Sequence, residues 1–301
     1  MNRTLAQWLV DNPGPAVAIT ALLGMLPIVG IGLALFLCGA VPALLVLVRG
    51  PRIGASVAVG ASLLLAASML MFGRPLVAGI AYAAWVLGPA LALAWLLERT
   101  GSLSLCLQVA VLVGSLLLVG LHVSFGDPEQ FWAPFVRDFA QEMKKHGLPE
   151  TLFDEDFTTM LARTLWGWVA VLTMLIAMCA LFLARWWQSL PEQAGRFGAE
   201  FREVRLGKVL GVAAAVVIVW AALSDRVVVG DIGRLFLGAL VIVGLAVLHR
   251  VVATGRLGQA WLWIAYLLLV VATPLAVIPL AAWGFVDNWL RSQRTANATP
   301  S

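Results

Sequence analysis

Residues 159–184 read TMLARTLWGWVAVLTMLIAMCALFLA, with Arg163 as the one charge. A helix rising 1.5 Å per residue needs about 20 apolar residues to cross a hydrocarbon core of about 30 Å. This stretch exceeds that length. Its tryptophans measure the same distance. Trp166 and Trp168 stand near one end, and Trp186 and Trp187 lie just past the other, where membrane interfaces hold indole rings. The stretch reads as a transmembrane helix. Working outward, the pattern recurs. Apolar runs at 16–48, 53–72, 76–96, 103–124, 209–224, 232–249 and 258–290 are bounded by charges and by Gly/Pro clusters.

Composition gives the same class. Of 301 residues, 61% are hydrophobic and 12% charged, where ordinary soluble domains carry roughly 25% charge. A soluble chain of this length has too little interior to hide so much apolar surface. An ordinary soluble enzyme, a disordered chain and a nucleic-acid-binding module are excluded. Unbroken runs also exclude a membrane β-barrel, whose short strands alternate. The reading is all-α: a polytopic helical membrane bundle of about 8–9 transmembrane helices. It forms one integral membrane domain over 1–301, made of a first helical group 1–124, an external amphipathic loop 125–158, a second helical group 159–291 and a polar tail 292–301. Residues 1–12 read as a short amphipathic lead with Leu5, Trp8 and Leu9 on one side, not as a cleavable signal.

Two runs are longer than one span needs and call for explanation. In 16–48, Pro27, Gly30, Gly32, Gly39 and Pro42 favour two packed segments, about 16–29 and 33–48, with a bend between. In 258–290, Trp261 and Trp263 at one end and Trp283 at the other favour one span, kinked at Pro274 and Pro279. Basic residues set the orientation. Ten lie in one set of loops: Arg49, Arg52, Arg99, Arg185, Arg196, Arg202, Arg205, Lys208, Arg250 and Arg256. Five lie in the other: Arg74, Arg137, Lys144, Lys145 and Arg226. The richer set is read as cytoplasmic, in a bacterial inner membrane, which puts loop 125–158 outside and loop 189–208 inside.

Both of these loops carry an amphipathic helix. Asp127-Pro128 supplies a cap and an N1 proline. Phe131, Phe135, Phe139 and Met143 then recur every fourth residue, and Lys144, Lys145 and His146 lead to a terminal Gly147. A second short element is expected around 149–156. In 189–208, Phe197, Phe201 and Val204 share one face, away from Arg196, Glu200, Arg202 and Glu203. Both helices are read as interfacial, lying on the bilayer.

Chemical signals are sparse. Cys38, Cys106 and Cys179 stand apart inside apolar runs, so neither disulfides nor a metal site are expected. No nucleotide-binding loop, metalloprotease signature or nucleophile elbow occurs. No catalytic residue, cofactor or metal is assigned, and the chain is read as a non-enzyme. Ionisable and polar groups at membrane depth are the usual pointers to function. The weak substrate-binding candidates are Gln108, well inside a span, His122, near an outer end, Trp283, and Asp287. Asp225, Arg226, Asp231 and Arg234 read as an outer turn satisfied by pairing and water. Small residues at fourfold spacing, such as Gly54 and Ala58 or Gly211 and Ala215, allow helices to approach closely.

Three stretches carry a family resemblance. They are Glu200-Phe201-Arg202-Glu203-Val204-Arg205-Leu206-Gly207, Gly244-Leu245-Ala246-Val247-Leu248-His249 and Gly284-Phe285-Val286-Asp287-Asn288-Trp289. In this order and at these distances they resemble the YybS-like family of uncharacterised bacterial inner-membrane proteins. In place of that family's aromatic-Arg ending, this chain has Leu290-Arg291-Ser292-Gln293-Arg294. The first half, at Val41-Pro42-Ala43-Leu44-Leu45 and Arg49-Gly50-Pro51-Arg52-Ile53-Gly54, is similar to the S components of energy-coupling-factor transporters. The resemblance implies a protein that binds or helps move a small solute, with a coupling subunit and an ATPase as partners beside the lipid bilayer. It assigns no binding residue. The other reading is a non-transporting membrane scaffold or assembly factor acting through its two interfacial helices.

Overall fold

A computed structural model describes residues 3–32, 34–192 and 195–297. Among these residues all regular structure is helical. The helices are α1 (Arg3–Asp11), α2 (Pro13–Met25), α3 (Ala34–Arg49), α4 (Pro51–Met71), α5 (Leu76–Thr100), α6 (Leu103–Phe125), α7 (Pro128–Lys145), α8 (Glu155–Glu192), α9 (Arg196–Arg202), α10 (Gly207–Leu223), α11 (Val227–Ala253), α12 (Ala260–Val271) and α13 (Thr273–Asn297). Glycines in the left-handed region end several of them, as at Gly101 (φ 66°) and Gly147 (φ 86°). Asp127 caps α7 as its sequence predicts, its Oδ1 accepting from the Glu129 amide at 3.0 Å. A short 3-10 turn, Glu150–Phe153, occupies the stretch expected around 149–156.

The number of spans is lower than the sequence suggests. Five helices, α4, α5, α6, α8 and α11, are long and apolar enough to cross a membrane, and a sixth if α9 and α10 are taken as one broken span. The expected 8–9 fails at the two long runs. Run 16–48 does split into two segments, around a 3-10 turn at Leu26–Val29 and Gly30 (φ 95°). The resulting helices have only 13 and 16 residues, short of the about 20 needed. Run 258–290 is not one kinked span. Ala272 leaves helical geometry (φ −137°, ψ 57°), and α12 ends after 12 residues. Pro274 has no amide to bond back four residues, and its ring crowds the carbonyl there, so the break falls just before it.

The described chain forms two compact units. The first comprises 1–107 and 173–204, the second 108–172 and 205–301. The cuts therefore fall within α6 and α8.

The core of the first unit gathers Ala21, Cys38, Ala58, Ala61, Leu65, Ala83, Val86 and Leu87. Small side chains let the backbones close up. A Cβ on Gly79 would meet the Ala66 Cα at 2.5 Å, and one on Gly54 would meet the Pro42 carbonyl at 2.9 Å. Buried polar groups find partners across helices. The Tyr82 hydroxyl donates to the Gly24 carbonyl at 2.8 Å, and Trp85 Nε1 donates to Thr173 Oγ1 at 2.7 Å. The apolar face of α9 is turned to α8. Phe197 and Phe201 pack on Phe182 of α8, with ring centroids 6.0 and 5.2 Å away. Arg185 of α8 fixes this docking by donating from Nε and Nη2 to the two carboxylate oxygens of Glu200, at 2.8 and 2.6 Å.

The second unit packs α6, α7, the start of α8 and α10–α13. Helices α11 and α13 touch where a Cβ on Gly244 would strike the Leu280 carbonyl and one on Gly284 the Leu240 carbonyl. Such contact requires glycine on both sides. Helix α7 seats Trp132 against Trp166 of α8, and Phe131 against both Trp166 and Phe125 of α6. Phe131, Phe135 and Phe139 remain exposed, as an interfacial helix would present them.

Candidate functional site

Gln108, His122, Trp283 and Asp287 do not form one site. Gln108 and His122 share α6 but stand about 20 Å apart along its axis, at 1.5 Å per residue. Trp283 lies on α13 and is partly exposed. The other three belong to two separate polar clusters within the second unit.

The first cluster surrounds the start of α10. Gln108 Nε2 donates to the Arg205 carbonyl at 3.4 Å, and its amide lies over Gly207. Asn288 of α13, almost completely buried, makes a two-way clamp on Gly207. Its Oδ1 accepts from the Gly207 amide at 2.9 Å, and its Nδ2 donates to the Gly207 carbonyl at 3.0 Å. Gly207 has φ 75°, and Gly211, one turn on, lies so close under the Asn288 amide that no Cβ would fit. Gly207 is favoured by its backbone conformation and Gly211 by the closeness of Asn288. The adjacent Asp287 points elsewhere and pairs with Arg250 at the end of α11. Beside it, His249 Nε2 meets the Tyr266 hydroxyl of α12 at 2.9 Å. Gln108 and Asp287 are therefore engaged in holding helices together. The first and third sequence stretches singled out above meet here, through Gly207 and Asn288, and the second and third meet through Gly244 and Gly284.

The second cluster is of a different kind. Asp231 is not in the outer turn but inside α11, and it is fully buried. Its Oδ1 accepts from Arg234 Nη1 at 2.6 Å. Its Oδ2 faces His122 Nε2 of α6 at 3.3 Å. On the third side stands Gly167 of α8, where a Cβ would come within 2.5 Å of Asp231 Oδ1. Trp-Gly-Trp at 166–168 places the only side chain small enough there. One turn earlier, Arg163 Nη2 donates to the Asp225 carbonyl at 3.1 Å and ties down the turn leading into α11.

His122 Nδ1 approaches the Leu118 carbonyl at 2.9 Å. A carbonyl only accepts, so Nδ1 carries the hydrogen. Nε2 and Asp231 Oδ2 then face each other at ion-pair distance, but the angles miss those of a hydrogen bond. Neither atom has a hydrogen-bond partner among the described residues. A buried carboxylate, a guanidinium and an imidazole from two helices are thus brought to one depth of the unit. Sequence reading found His122 but set Asp231 aside, because three charges nearby suggested a solvated turn. The usable signal was that apolar residues stand on both sides of it, Val227, Val228 and Val229 before and Ile232 after.

Among the described residues no three His, Cys, Asp or Glu are placed to hold a metal ion. The fold and these clusters define a polytopic helical membrane protein with a buried ionisable site. No known protein family, characterised protein or solved structure matches the chain.

Proposed function

We propose that this chain is a multi-pass protein of the bacterial inner membrane that binds, and helps move, a small solute in the manner of an S component. The observation that carries the reading is the fully buried Asp231, within a helix apolar enough to span, facing His122 and Arg234. Ionisable groups at membrane depth are costly, and their usual return is a solute or ion pathway. The resemblance to the YybS-like family supports the same reading. The chain carries no nucleotide-binding motif, so the proposal includes a separate ATPase and coupling subunit. Loop 125–158 is assigned to the outside and loop 189–208 to the cytoplasm, on the basic-residue count.

Native mass spectrometry of protein extracted gently from its own membranes tests this. A recurrent small ligand or a co-purifying ATPase is expected, and Asp231→Asn should lose the ligand. A ligand-free chain bound to some other envelope protein would overturn the reading. It would favour a scaffold instead, for which the exposed Phe131, Phe135 and Phe139 row of α7 offers a surface.

A further inference from the structure

We infer that His122 and Asp231 together form a binding site for one exchangeable proton, buried in the second unit. The Nδ1 hydrogen is committed to Leu118, so a neutral His122 turns a lone pair of Nε2 toward Oδ2 of Asp231. An ionised Asp231 turns a lone pair back. At 3.3 Å, shielded from water, two lone pairs repel. One proton between them converts that repulsion into a hydrogen bond, written either as imidazolium with carboxylate or as imidazole with carboxylic acid.

The opposing cost keeps the proton exchangeable. Arg234 already balances the charge of Asp231 through its 2.6 Å bond. Without the added proton the cluster is neutral overall, and with it the cluster carries one positive charge in an apolar setting. Each state has its own penalty, so neither is locked. No other group takes over the role among the described residues. Helix α8 faces Asp231 with Gly167, and its Arg163 is turned to the Asp225 carbonyl. Helix α10 meets α11 through Ala221 at Gly233. On α13, Asp287 is engaged with Arg250. Arg234 is the most exposed member of the cluster, at 28% against 13% for His122 and 0% for Asp231.

The proton site does not depend on the solute reading, and its test uses no transport assay. With three histidines in the chain, the full-length protein labelled with 15N-histidine in nanodiscs gives few ring signals, and His122→Gln assigns the one of interest. The expected result is a single-proton transition at His122 Nε2 whose midpoint moves by about one pH unit or more in Asp231→Asn, the scale of a buried partner's influence. Infrared difference spectra of the wild type should show a carboxyl band changing over the same pH interval. If Asp231→Asn does not fold, Asp231→Glu provides the shifted midpoint. An Nε2 that stays unprotonated while the carboxylate stays ionised, over the whole range in which the protein is folded, overturns the proposal. So does a His122 transition indifferent to both substitutions.

Discussion

At the scale of single residues, the close contacts are made by glycines, and their neighbours differ in how far they can give. Gly167→Ala places a methyl against the Asp231 carboxylate and backbone. It should destabilise the protein by about 1–3 kcal/mol, the usual range for overpacking a core, read as a lower melting temperature in detergent. Gly244→Ala should cost at least as much, because its obstacle is the Leu280 backbone and cannot rotate away. Gly88, exposed on α5 with nothing near its Cβ position, is the control. Gly88→Ala should be neutral or stabilise by up to about 1 kcal/mol through helix propensity. Asn288→Ala leaves the amide and carbonyl of Gly207 without their side-chain partners and should cost about 1–3 kcal/mol. Sequence alone could not reveal this clamp. Asn288 stands beside the more conspicuous Asp287, and nothing in local spacing shows that its partner is a backbone group on another helix.

Between elements, the docking of α9 on α8 makes a prediction about pH. Burial pushes the Glu200 carboxyl up, but hydrogen bonds and charge from Arg185 and Arg196 more than offset this and hold it below its ordinary value of 4.5. A lowered folded-state value contributes stability that is present above the unfolded value and is lost as pH falls through the folded one. Wild-type stability should therefore decline as pH drops below about 4.5, and Glu200→Gln should lack that part of the decline. Melting curves of both proteins in detergent between pH 3 and 7 would check it. An identical decline in the variant would remove Glu200 from the account. The helix α7 was legible to within a residue, because its cap, periodicity and terminal glycine all act locally. Helix α9 was legible as a helix but not in its packing. An amphipathic face alone does not name the helix it packs on, and the Phe182 contact comes from an element distant in the pattern.

For the whole molecule, the helical membrane class was readable from composition and run length, but the number of spans was not. Run length counts apolar residues, whereas a span also needs an unbroken hydrogen-bond ladder, and Leu26–Val29 and Ala272 interrupt two runs. The candidate site was half legible for a similar reason. His122 and Asp231 lie far apart in sequence and meet only because Gly167 lets three helices close together. The proposed sidedness has a direct test. In a cysteine-free background, single cysteines at Gln141 and Ala199, both exposed, should react with a membrane-impermeant thiol reagent from opposite sides, the first from outside intact cells. Labelling of both from one side would reverse the assignment.

The three-helix meeting at Asp231 also dictates an order of assembly. Synthesis runs from the N-terminus, so α6 and α8 are made before α11 exists. A nascent chain halted before Val227 holds His122 without the carboxylate that faces it in the finished protein, and α8 with an open notch at Gly167. Insertion of α11 is the step that fills both at once. Until then neither the imidazole nor the notch has the partner that the finished fold gives it.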